Sequence, residues 1–88
     1  MKLVINNCYG GFELSEKARE MLGVNPYDIK RNDPKLIQIV EELGEKASGK
    51  SANLQIVEIP DEITDFDISE YDGVETVIYV MDGKIKYT

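Results

Sequence analysis

The residues near the N-terminus whose types and spacing could do chemistry are Cys8-Tyr9-Gly10-Gly11-Phe12, with Ser15 close behind. A glycine pair that leaves a strand and leads to a helix N-terminus can turn backbone N–H groups toward an anion or a nucleotide phosphate. Tyr9 and Phe12 carry rings that could stack on a flat ligand, and Cys8 falls where ligands collect in open α/β sheets, at the carboxyl end of a strand. The candidate ligand-binding set is therefore Asn6, Cys8, Tyr9, Gly10, Gly11, Phe12 and Ser15, for a small anionic or nucleotide-like molecule. The pattern is neither a Walker A loop nor G-x-G-x-x-G. The competing reading is structural: a tight turn in which Phe12 plugs the core and Cys8 serves as a small buried hydrophobe.

Nucleophilic chemistry has few routes in this chain. Histidine is absent, which removes Ser-His and Cys-His pairs and imidazole metal sites, and one cysteine cannot build a zinc or iron–sulfur centre. A reactive Cys8 thiolate would need a nearby cation or helix N-terminus, with Arg19, Arg31 or the helix at Ser15 as the available sources and no identifiable base. No catalytic residue, cofactor or metal is assigned on this basis. An enzyme using Cys8 or a carboxylate is kept as an alternative. A glycosidase-type carboxylate pair would have little room for a substrate cleft in a domain of this size.

The second group that could act is acidic. Residues 51–83 carry nine carboxylates and no Lys or Arg, whereas residues 1–50 balance eight acidic against eight basic side chains. Asp61, Asp65, Asp67, Glu70 and Glu75 form the candidate protein-interaction set, suited to a basic host protein, with a nucleic-acid mimic as the sharper alternative. The plain alternative is a solvated face that keeps the domain soluble. Calcium binding by Asp65 and Asp67 would lack the EF-hand loop glycine and terminal Glu. The sign of this surface repels phosphate backbones, so direct nucleic-acid binding is disfavoured.

The elements that must position these groups follow from periodicity and turn chemistry. Eighty-eight residues with 42% hydrophobic side chains suit one domain spanning 1–88. Leu3, Val4 and Ile5 form a continuous apolar run, as in a strand covered on both faces. Ser15 is a helix N-cap and Gly23 its stop, while Asn25-Pro26 breaks the chain into a loop. Asp33-Pro34 starts a second helix, expected from about 34 to 48, with Leu36, Ile37, Val40, Leu43 and Ala47 at helical spacing. Leu54–Ile59 reads as a strand ended by Pro60.

Asp72-Gly73 and Asp82-Gly83 are two-residue hairpin signals. They pair Tyr71 with Val74, Ser69 with Thr76, Val80 with Ile85 and Ile78 with Tyr87. One face of the hairpins then holds Tyr71, Val74, Ile78, Val80, Ile85 and Tyr87 with Asp67 as its only charge, and this is the face expected to pack inward. The other face, with Glu70, Glu75, Lys84 and Lys86 beside Phe66, Ile68, Val77, Tyr79 and Met81, is expected to look outward toward a partner or a second subunit. The fold class is α+β: a small mixed sheet of order β-α-α-β-β-β-β with two helices packed on one face. The first two strands are expected to be parallel through a right-handed crossover. Nothing in the sequence reads as an export signal or a membrane span, and the lone cysteine fits a reducing cytoplasm.

Val4-Ile5-Asn6-Asn7-Cys8-Tyr9-Gly10-Gly11-Phe12 with Leu14-Ser15 resembles the start of a family of small uncharacterised bacteriophage and prophage proteins. The likeness continues through Asn32-Asp33-Pro34, Val40–Gly44, Ala47-Ser48-Gly49, Val57–Asp61 and Glu70–Glu75. Glu13 stands where that family commonly has glycine, and this chain ends in a second hairpin instead of a charged tail containing His or Trp. The resemblance implies a phage-type origin and a host cytoplasm, and it implies no activity.

Overall fold

Local chemistry starts each helix where the capping residues stand. In the computed structural model, which describes all 88 residues, helix α1 spans Glu16–Leu22. Ser15 Oγ accepts from the Ala18 amide at 3.2 Å, and Gly23 closes the helix at φ 77°. Helix α2 spans Pro34–Leu43, with Asp33 accepting from the amides of Lys35 and Leu36. Gly44 takes φ 57° and ends the α-helix, earlier than expected; a 3₁₀ turn carries the chain on to Ala47.

Five strands follow the expected order, β1 (Lys2–Asn6), β2 (Leu54–Glu58), β3 (Phe66–Tyr71), β4 (Val74–Met81) and β5 (Lys84–Tyr87). The fold is a small α+β fold. Its strands divide into two antiparallel sheets, β1-β2 and β3-β4-β5, in place of one mixed sheet. Strand β2 runs antiparallel to β1, Lys2 facing Glu58 and Asn6 facing Leu54, and this corrects the parallel crossover. The reason lies in where the helical excursion closes. The Ser15 amide donates to Ala47 O at 2.8 Å and the Gly49 amide to Glu13 O at 2.8 Å. The chain therefore returns at the same end of β1 from which it left. Only an antiparallel partner can start there.

Both helices pack on one face of β1-β2, around Val4, Phe12, Leu14, Ala18, Leu22, Leu36, Ile39, Val40, Ala47 and Leu54. Leu3 and Ile5 point the other way and meet Ile59, Ile63 and Val77, so β1 is covered on both faces as its apolar run implied.

The hairpin registers match the turn chemistry: Tyr71 faces Val74, Ser69 faces Thr76, Val80 faces Ile85 and Ile78 faces Tyr87. Asp72 and Asp82 take φ 51° and 53°, each followed by a glycine at positive φ, as a tight hairpin turn needs. The buried face is the reverse of the expected one. Val77 is fully buried, with Phe66, Ile68, Tyr79 and Met81 packed beside it. The face carrying Tyr71, Val80, Ile85 and Tyr87 is left to solvent. Glu75 decides this choice, because the arginine that neutralises it lies on the core side.

Candidate functional site

The junction after β1 is built around Asn6, which is fully buried and internally bonded. Its Nδ2 donates to Gly73 O at 2.7 Å and Cys8 O at 3.0 Å, its Oδ1 accepts from the Asn53 amide at 2.7 Å, and its own amide donates to Glu75 Oε1 at 2.7 Å. The Gly10 amide donates to Asp72 O at 3.2 Å, which docks the β3–β4 turn against the glycine pair. A Cβ on Gly73 would lie 2.5 Å from the Gly10 nitrogen, so the approach needs glycine.

Phe12 is buried between two neighbours. The Arg31 guanidinium carbon sits 3.6 Å from its ring centroid, and Tyr27 meets it edge-on at 6.2 Å. Tyr27 also donates its hydroxyl to Phe12 O at 3.0 Å. Cys8 is half-buried, its Sγ donating to Ser51 O at 3.1 Å. Ser15 donates its hydroxyl to Lys46 O at 2.7 Å while capping α1. Of the seven candidate ligand residues, Asn6, Cys8, Gly10, Phe12 and Ser15 are thus held by internal contacts, and Tyr9 stands exposed on the surface. The structure brings the set together around a packed junction, and neither hollow of the molecule borders it.

Arg31 is the residue the sequence reading underweighted. It forms a two-pronged pair with Glu75, Nη1 to Oε1 at 2.5 Å and Nη2 to Oε2 at 2.8 Å. The same arginine binds the free edge of β1, its amide oxygen accepting from Val4 N at 2.9 Å and Nη1 donating to Val4 O at 3.3 Å. With Glu75 accepting from the Asn6 amide, these two side chains occupy the edge where a further strand would pair. This is why the strands form two sheets. Arg31, committed to Glu75 and Phe12, is also not placed as an activating cation for Cys8.

The acidic candidates separate. Glu75 is 7% exposed and neutralised by Arg31, so it does not belong to the outward acidic surface. Asp61 pairs with the N-terminal ammonium of Met1, whose hydrogen bond and charge hold its carboxyl below the usual range. Glu70 accepts from the Gly73 amide at 2.7 Å and so shapes its own turn. Asp65 and Asp67 are exposed.

These last two line a hollow of about 330 Å³ at the end of the three-stranded sheet. Its walls are residues 62–67 and 78–80, so Asp67, Ile78 and Val80 belong both to the hollow and to the bare sheet face. A second hollow, of about 460 Å³, lies between residues 29–32 and residues 64–68. Glu62, Ile78 and Val80 were not among the candidate site residues. The available signal was Asp67, the lone charge on an otherwise apolar hairpin face.

The bare face is broad for so small a molecule. Tyr71 is 76% exposed, Val80 61%, Ile85 62% and Tyr87 66%, with Val74 and Ile78 half-buried among them. Together, fold and surface define a small α+β protein with an uncovered apolar sheet face and an acid-edged hollow at its end. No helix is long and apolar enough to cross a membrane. No protein-family model, no curated protein and no solved structure matches the chain.

Proposed function

We propose that the chain is a non-enzymatic binding protein of phage or prophage type that acts in a host cytoplasm by engaging a host protein. Its contact surface is the outer face of β3-β4-β5. The observation that carries this reading is the set of four large apolar side chains, Tyr71, Val80, Ile85 and Tyr87, exposed together on that face. Contiguous apolar surface of this kind on a soluble domain marks an interaction site, and two tyrosines among the four suit a protein interface. The site reading at Asn6, Cys8–Phe12 and Ser15 has less support, because most of those groups are bonded to other parts of the chain and no hollow lies beside them.

The test is capture from a bacterial host lysate by the whole chain and by Val80→Ser/Ile85→Ser. Both positions are exposed, so the variant keeps the native circular dichroism spectrum and melting temperature. A protein retained by the native chain and lost by the variant supports the reading. Equal retention by both overturns it.

A further inference from the structure

The reading of the outer sheet face as a binding surface leaves open what kind of partner it takes, and the present inference rests on that reading. The charges around the face decide the matter. Glu62, Asp65 and Asp67 line the hollow together with the apolar side chains of Phe66, Ile78 and Val80. None of the three carboxylates has a cationic partner: the molecule's three ion pairs use Asp61, Glu41 and Glu75. The stretch from 51 to 83 holds no Lys or Arg, and Lys30 and Arg31, which share the second hollow with Asp65 and Asp67, form no ion pair with them. Lys84 and Lys86, the first cations after that stretch, alternate with Ile85 and Tyr87 along β5 and point away from the outer face.

We infer that the face docks a protein segment in which an aliphatic or aromatic side chain is flanked by lysine or arginine. The apolar side chain enters the hollow against Ile78 and Val80, and its basic neighbours meet Asp65, Asp67 and Glu62. Burying the apolar group removes water from both surfaces. The long stems of Lys and Arg cover apolar surface while their charged ends reach the carboxylates. Opposite charge at the rim steers the encounter and rejects acidic competitors.

A second copy of the chain fits this surface worse. It carries the same net charge of −7 and the same uncompensated carboxylates, and it lacks a basic cluster on this face to meet them. Nucleic acids and anionic lipid surfaces are repelled by the same carboxylates.

The experiment is selection of a random linear peptide library on the immobilised full chain, with affinities of selected peptides then measured against three proteins. These are the native chain, Glu62→Gln/Asp65→Asn/Asp67→Asn and Val80→Ser/Ile85→Ser. All substituted residues lie in the rim or on the bare face and form no internal hydrogen bond or ion pair through their side chains, and an unchanged melting temperature checks each fold. Selected peptides should pair an apolar residue with Lys or Arg, bind at least about tenfold more weakly to the carboxylate variant, and weaken as salt rises. Selection of neutral or acidic peptides overturns the inference, as does equal affinity for the carboxylate variant. If binding is lost only in Val80→Ser/Ile85→Ser, the sheet-face reading stands and the basic-partner inference falls. If neither variant weakens binding, both fall. Self-association of the native chain through this face in analytical ultracentrifugation, abolished by Val80→Ser/Ile85→Ser, would replace the basic partner with a second copy.

Discussion

The two sheets of this molecule use similar strands to opposite ends. Strand β1 is covered on both faces, by the helices on one side and by the second sheet on the other, and no large apolar side chain of it is left bare. Strand β4 is covered on one face only; beside it, β5 is exposed at every residue. Ten buried residues fill the helical core and five fill the layer between the sheets. Stability is therefore concentrated near β1, whereas the far sheet keeps apolar surface in water at a cost to solubility. Evolution tolerates that arrangement where the surface has a use.

Where the two halves meet, a single ion pair ties them, and breaking it should have the largest effect. Glu75→Ala leaves Arg31 charged among Phe12 and the β1 edge and removes the acceptor of the Asn6 amide. Loss of one partner from a buried pair typically costs about 3–5 kcal/mol. In an 88-residue domain, where total stability is about 5–15 kcal/mol, chemical denaturation should show a lowered midpoint and loss of cooperativity between the halves.

Substitutions that truncate one apolar group in each half sharpen the contrast. Leu36→Ala opens a cavity in the helical core, where Leu36 is fully buried, and should destabilise by about 2–5 kcal/mol. Ile85→Ala removes a similar side chain from the bare face and should change stability by less than about 0.5 kcal/mol. Equal effects on the denaturation midpoint would mean that the outer face is covered in solution. Amide exchange offers the same comparison without substitution: amides of β5 should exchange faster than those of β1.

The smallest effect concerns Asp61. Its carboxyl titrates below the usual range because the N-terminal ammonium donates to it and attracts its charge. A folded-state value below the unfolded one stabilises the fold above the ordinary carboxylate range, and the contribution disappears as pH falls through the lower value. The pair is exposed, so Asp61→Asn should leave the melting temperature at neutral pH nearly unchanged and slightly flatten its decline in acid.

Much of the local architecture was legible from residue types. Ser15, Asp33-Pro34 and Gly23 marked helix ends because capping is decided within a turn of chain. Asp72-Gly73 and Asp82-Gly83 specified both registers because the turn geometry is local as well. The candidate site was legible in part. The segment from Asn6 to Ser15 was rightly a junction of strand, glycine loop and helix, yet its amides and Phe12 find their partners in Asp72, Tyr27 and Arg31, far along the chain. The acidic stretch gave its carboxylates by inspection, but not that Glu75 would be buried apart from the rest.

What the amino-acid order determined on its own was the identity of each element, the pairing within each hairpin and the sign of charge along the second half. Tertiary structure alone decided which face of the hairpins went inside, the direction of β2 and the splitting of the strands into two sheets. The physical reason is that both hairpin faces carry enough apolar groups to pack, so alternation could not choose between them. The choice fell to Glu75, which can be buried only where Arg31, distant in sequence, arrives to meet it.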